Sequence, residues 1–257
     1  MVPCANLDFD RVDSPAYVID VAALENNLRI LSEVQEAADC SILLALKGFA
    51  TWSTFPLIGK YLAGISASGP HEARLGHEEL GKQVHTYCPA FREETLRESI
   101  RYSDHVVFNS PSQVARFRDI ILKHASDVAF GIRINPEHSE VDVAIYDPCA
   151  PGSRLGATRA ELENADLTGI TGLHFHSLCE LGVDALERTL RVVEDRFQPW
   201  LDAAEWVNFG GGHHITKPAY DRTRLIELVA DFKRKHDVEV FLEPGEAIGI
   251  DTGVLVA

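Results

Sequence analysis

The stretch Ser41-Ile-Leu-Leu-Ala-Leu-Lys47-Gly48 ends an apolar run on a single lysine followed by glycine. Such a run suits a strand buried on both faces, and a lysine at its end stands at the mouth of the sheet. There a neutral amine can attack a carbonyl carbon and hold it as a Schiff base. The bland alternative is a surface lysine snorkelling to water. Residues able to do chemistry recur at the ends of later apolar runs: Ser66-Ala-Ser68, Arg133-Ile-Asn135, His174-Phe-His176, Gly210-Gly-Gly-His-His214 and Glu243-Pro-Gly-Glu246. Each also has a structural reading, because triple glycine and Glu-Pro-Gly make turns and two histidines two apart can be core and rim.

Read together, these groups describe a cofactor site. Three glycines after a strand allow backbone N–H groups to approach phosphate oxygens. Lys47 would hold an aldehyde, His176 would lie on one ring face, and Glu243 would accept the proton of a pyridine nitrogen. A ring kept cationic in this way is a strong electron sink, which suits loss of carbon dioxide. Pyridoxal phosphate (PLP) is the cofactor with these needs. His213 and His214 are adjacent, do not converge easily on one ion, and have no carboxylate motif to complete them, so no metal ligands are expected.

The elements that must position these residues follow from the hydrophobic pattern. Eight apolar runs read as strands: Ile42 to Leu46, Gly64 to Ala67, Val84 to Tyr87, His105 to Phe108, Ala129 to Ile134, Ile170 to His174, Trp206 to Phe209 and Val238 to Leu242. Helical patterns lie between them. Asp20 caps one whose Leu24, Leu28, Leu31 and Val34 share a face, and Ser110-Pro111 opens another with Val114, Phe117 and Ile121 on one side. Others run near Glu72 to Leu80, Glu93 to Ser99, Asp184 to Ala203 and Arg222 to Lys235. Eight strands alternating with helices at this length predict an α/β fold, a (β/α)8 barrel whose active site lies at the carboxyl ends of the strands. The runner-up is an open doubly wound sheet, but the first strand is not followed by G-x-G-x-x-G. The aperiodic, Pro-rich segment 135–156 should hang over the barrel mouth.

Composition sets the outer bounds. The 257 residues hold 39 acidic and 24 basic side chains, a formal net charge of −15, which argues against nucleic acid or an anionic membrane as partner. Five cysteines without a C-x-x-C pair point to neither a disulfide framework nor zinc and fit a reducing cytoplasm. The start Met1-Val-Pro-Cys-Ala-Asn lacks the order of a signal peptide, and the apolar runs fall short of the ~18 residues of a membrane span.

Several stretches also match a known family in order along almost the whole chain. They are Ala45-Leu-Lys47-Gly-Phe-Ala, Ser66-Ala-Ser-Gly-Pro-His-Glu72, Gly131-Ile-Arg-Ile-Asn-Pro136, Tyr146-Asp-Pro-Cys-Ala-Pro-Gly-Ser-Arg-Leu-Gly156, His174-Phe-His-Ser-Leu-Cys-Glu180, Asn208-Phe-Gly-Gly-Gly-His-His214 and Glu243-Pro-Gly-Glu-Ala247. The chain resembles the PLP-dependent decarboxylases with an alanine-racemase-like barrel, and within them the carboxynorspermidine/carboxyspermidine branch. The resemblance implies a Schiff base on Lys47, ring stacking by His176, a pyridinium partner in Glu243 and phosphate binding at Gly210, Gly211 and Gly212. Ser68 and Arg133 join the expected cofactor-binding set. Ornithine decarboxylases carry arginine after Glu-Pro-Gly; Glu246 here puts that phosphate contact in doubt and can instead face a cationic polyamine, with His213 and Asp142 as further substrate contacts.

The implied activity is decarboxylation of a carboxy-polyamine to norspermidine or spermidine by a cytoplasmic enzyme that is a homodimer at full length. The family continues into a β-domain that supplies further catalytic groups. The domains expected are therefore 1–20 as an N-terminal strand region, 21–248 as the PLP barrel, and 249–257 as the start of a mostly missing β-domain, with Ser14 to Ile19 and Val254 to Val256 left without strand partners. The alternatives are a barrel-only PLP carrier without turnover, a related diamino-acid decarboxylase, and a racemase, which would pair the ring nitrogen with a cation where this chain has Glu243.

Overall fold

The computed structural model describes Cys4 and residues 8–257. Among them run ten strands: β1 (Ala16–Ile19), β2 (Ser41–Ala45), β3 (Gly64–Ala67), β4 (Gln83–Tyr87), β5 (His105–Phe108), β6 (Ala129–Arg133), β7 (Gly172–His174), β8 (Trp206–Asn208), β9 (Glu239–Leu242) and β10 (Gly253–Val256). Strands β2 to β9 are all parallel and close in chain order, the seam being Ser41 and Ile42 of β2 against Phe241 and Leu242 of β9. Each of the eight apolar runs is a barrel strand, and the (β/α)8 expectation is borne out.

Alternation along each strand divides the apolar side chains between two cores. Ile42 and Leu44 of β2 point outward and pack beneath the helices, whereas Leu43 points inward with Val107, Trp206 and Phe241. The barrel interior is narrow, and Trp206 fills it only because two facing residues lack side chains. A Cβ on Gly172 would lie 1.9 Å from Trp206 Cε2, and one on Gly131 would lie 2.4 Å from Cη2. Beside the indole, His85 stacks on His105 with ring centroids 3.9 Å apart. This aromatic layer is the floor on which the mouth of the barrel rests.

The helices form as their caps require. Asp20 accepts the N–H groups of Ala22 and Ala23 at 3.0 and 3.1 Å, opening a helix from Val21 to Ala38 with Leu24, Leu28, Leu31 and Val34 buried. Ser110 caps the next clear case, with Pro111 at its first position, but Phe117 departs from helical geometry and splits it into Pro111–Arg116 and Arg118–His124. The helix expected from Glu72 begins instead at Pro70 and passes into a π-helical turn at Gly76–Leu80. The two long helices, Val183–Leu201 and Arg222–His236, cover β7 to β9; the first is kinked at Phe197, just before Pro199.

Strands β1 and β10 stand outside the barrel and pair antiparallel with each other, Ala16 with Val256 through Ile19 with Gly253. The expectation that they lack partners is corrected: each serves as the other's. The part of the expected region 1–20 that covers residues 1–3 and 5–7 lies outside the described residues.

Gly172→Ala tests the interior packing. The added methyl has nowhere to go but the indole, so an unfolding free energy lower by about 1–3 kcal/mol is expected from denaturant titration. A loss under about 0.5 kcal/mol would show that the interior is looser than described.

Candidate active site

Lys47, Ser68, Tyr87, Arg133, His174, His176 and Glu243 line one cleft, about 340 Å³ including the part open to solvent, at the carboxyl ends of the strands. That is the end at which barrels of this architecture carry their chemistry. A wider open depression, about 870 Å³, lies at the opposite end between Asp39, Lys233 and Glu239. It is a groove of paired surface charges at the amino ends of β8 and β9.

Glu243, at the end of β9, is 9 % exposed and is held from two sides. Asn208 of β8 donates its amide to Oε1 at 2.8 Å, and His174 Nε2 of β7 lies 3.5 Å from Oε2. Burial opposes ionisation of the carboxyl, yet the contact and charge of His174, the charge of His85 and the Asn208 hydrogen bond outweigh it and hold its pKa well below the ordinary range. Burial also presses His174 toward its neutral form, with Glu243 resisting. The two statements describe one pair: on acidification His174 takes up a proton before Glu243 does, and the ion pair so formed keeps Glu243 a carboxylate.

The same residues shape the glycine turn. Asn208 Oδ1 accepts the Gly210 N–H at 2.8 Å, Gly210 O accepts the Glu243 N–H at 2.8 Å, and His176 Nδ1 accepts the Gly211 N–H at 2.8 Å. His176 is therefore fixed as an acceptor at Nδ1, which places its proton on Nε2 in the neutral ring. Burial, then the charges of Lys47 and Arg133, lower its pKa well below the usual value, so that ring is neutral near pH 7. Gly210 and Gly212 have φ of +70° and +85°. A Cβ on Gly211 would lie 2.4 Å from Glu243 O, and one on Gly212 would lie 2.1 Å from Leu178 O. The glycines are thus required by the approach of the turn to β7 and β9. With the Gly210 and Gly211 N–H groups spent inside the chain, the phosphate-binding expectation narrows to the N–H of Gly212, which has no acceptor among the described residues.

Arg133 is 5 % exposed; its Nη2 donates to His176 O at 3.0 Å, its guanidinium carbon lies 4.9 Å from the centre of the Tyr87 ring, and its Nε has no partner among the described residues. Lys47 is exposed at the rim. Ser68 is exposed as well, and its N–H and hydroxyl both go to Glu72 Oε2 at 2.6 and 2.7 Å.

The expected substrate contacts fare differently. His213 is 1 % exposed, its ring nitrogens make no hydrogen bond among the described residues, and it does not line the cleft. Asp142 is exposed on the long loop and does not line it either. Glu246 is half-exposed and pairs with His214 Nε2 at 3.0 Å. Glu180 brings a third ligand-type atom within 4.8 Å of these two, so the expectation that no carboxylate completes the histidine pair is corrected for His214. Sequence reasoning missed Tyr87, His174 and Asn208 as cleft or support residues. His174 carried a signal, two residues before His176 at the end of an apolar run; Tyr87 carried only its place as the last residue of such a run, and Asn208 its place at the head of the matched stretch Asn208 to His214.

Comparison with known proteins follows the geometry. No family model matches the chain. A carboxynorspermidine/carboxyspermidine decarboxylase of Campylobacter jejuni is 44% identical over 249 residues, covering 97% of this chain and 64% of the relative. A carboxyaminopropylagmatine decarboxylase of Synechocystis is 42% identical, covering 95% and 63%. The crystal structure of the Campylobacter jejuni carboxynorspermidine decarboxylase complexed with norspermidine superposes with a TM-score of 0.86 at 42% identity, over 95% of this chain and 63% of that one. The chain therefore spans just under two thirds of the length of these relatives, and the resemblance expected from its motifs is borne out. Among the described residues, no helix is long and apolar enough to cross a membrane.

His213 gives a pH test. Burial lowers its pKa to about 4 against an ordinary 6.5, so the unfolded chain binds its proton first. Its contribution to stability is complete above pH ~6.5 and is lost as pH falls toward 4, at up to about 1.4 kcal/mol per pH unit. The His213→Leu variant should lose that slope in denaturant titrations from pH 7 to 4; an unchanged slope would show that His213 is not buried neutral.

Proposed function

We propose that this chain is the cofactor-binding barrel of a PLP-dependent carboxy-lyase that decarboxylates carboxynorspermidine or carboxyspermidine to norspermidine or spermidine. The observation that carries the reading is the buried carboxyl of Glu243, hydrogen-bonded by Asn208 and facing His174, in one cleft with Lys47 and His176. The relatives support it by their names and by the polyamine in the Campylobacter jejuni complex.

The residues fit PLP. Among the described residues, Arg133 Nε and His174 Nδ1 are buried polar atoms of the cleft without partners, and the only neighbour of Glu243 Oε2 is His174 Nε2 at 3.5 Å. When bound, the cofactor supplies a sink for the electron pair left by departing carbon dioxide. Lys47 would hold it through its amine. Glu243 Oε2 would accept the N–H hydrogen bond of a protonated ring nitrogen and, because Asn208 and His174 keep the carboxylate ionised, would not lose that contact near neutral pH. His176, its ring oriented by the Gly211 N–H, presents a neutral flat face. Arg133 offers its Nε–H to an oxygen, and Gly212 its N–H to a phosphate. Glu246 at the rim would face the cationic end of the substrate.

On the same reading residues 21–248 form the barrel, while 1–20 and 249–257 supply strands to a β-domain. A cytoplasmic homodimer is the expected assembly of the full-length protein.

The purified chain treated with PLP and then borohydride should carry the reduced label on the peptide containing Lys47, with Lys47→Ala unlabelled. Carbon dioxide release should be faster from carboxynorspermidine than from L-lysine or ornithine and should fall at least 100-fold in Glu243→Gln. A label elsewhere in a folded sample defeats the site assignment, and faster turnover of ornithine or lysine defeats the substrate assignment.

A further inference from the structure

The segment 135–156 leaves the barrel at the end of β6 and returns beside the same strand. Asn135 N donates to Ala157 O, and Ala157 N to Arg133 O, each at 2.8 Å. The outgoing limb is held from outside, where Arg188 forks onto Glu140 at 2.6 Å to each oxygen and Arg196 donates to Pro136 O at 2.7 Å. The returning limb is held from inside by Asn109, the residue after β5. Asn109 Oδ1 accepts both the Tyr87 hydroxyl at 2.7 Å and the Gly156 N–H at 2.9 Å, while its Nδ2 donates to Arg154 O at 2.8 Å. Asn109 is 8 % exposed, and Gln113 steadies it by accepting its N–H at 3.1 Å and donating to Pro89 O at 2.7 Å. Tyr87, at the other end of this chain of bonds, is a wall of the cleft beneath Arg133.

We infer that Asn109 is a positioning residue that couples the returning limb of the long loop to the wall of the cleft, so that seating of Arg154–Gly156 and placement of Tyr87 are one event. One carbonyl oxygen serves both donors through its two lone pairs, and a rotation that frees Gly156 frees Tyr87 as well. Burial raises the Tyr87 pKa, so its hydroxyl keeps the proton it donates. Coupling is reciprocal: a group bound against Tyr87 and Arg133 orders the limb, and a seated limb tightens its binding. That second arm rests on the cofactor reading above; the first holds for the chain alone.

Amide hydrogen exchange on the full chain, unloaded and with PLP as the probe, tests this at Gly156, with Val107 in the barrel as reference. Tyr87→Phe keeps the ring and removes only the hydroxyl. In the unloaded chain it should raise Gly156 exchange roughly five-fold, the scale of one lost hydrogen bond, with Val107 unchanged. PLP should slow Gly156 exchange in the unsubstituted chain but not in Tyr87→Phe or Asn109→Ala. Unchanged Gly156 exchange in unloaded Tyr87→Phe overturns the coupling, as does equal slowing by PLP in all three chains. A folded chain that takes up no PLP defeats the cofactor reading, and the unloaded comparison still decides the coupling.

Discussion

A carboxylate buried at the mouth of a barrel is costly unless its oxygens are satisfied, and the arrangement around Glu243 is the constraint on which the mouth of this barrel depends. Asn208 donates to Glu243 and accepts from Gly210, so one side chain binds the end of β9 to the turn after β8. Gly211 donates to His176, and His174 faces Glu243, which brings in β7. Three neighbouring strand ends are thereby locked into one polar layer. Glycine is needed through the turn because a side chain there would strike the backbone of both neighbours.

Below that layer the barrel interior is aromatic. Trp206, Phe241 and the stacked pair His85 and His105 fill the interior, and the two histidines are held toward their neutral forms by burial. The nearest partners of the Glu243 carboxylate, Asn208 and His174, stand at the mouth above these rings. The acidic chain as a whole, at −15, does little here: the arginine pairs at its surface, such as Glu93 with Arg97 and Glu163 with Arg159 along their helices, contribute little to stability.

The barrel was legible in the sequence because each buried strand is a short apolar run between turn signals, and the mouth residues were legible because they follow those runs directly. What the sequence did not disclose depends on neighbours that only the closed sheet supplies. Lys47 follows an apolar run yet emerges exposed, since the rim ends with Leu46. The triple glycine looked like an anion nest, but His176 takes the N–H of Gly211 and Asn208 that of Gly210. His213 and His214 are adjacent in sequence and part in space, one into the core and one to Glu246. Strands β1 and β10 are 233 or more residues apart, too far for any local pattern to show that they pair.

The central claim is that Glu243 stays ionised although buried. Carbon-13 NMR of the chain labelled at glutamate carboxyls, with Glu243→Gln to identify the resonance, measures this directly. The account predicts that the Glu243 signal keeps its carboxylate shift from pH 8 down to pH 4 while exposed glutamates titrate. A midpoint at or above 4.5 would contradict it, because a neutral carboxyl at this position could not hold a cationic partner in the cleft.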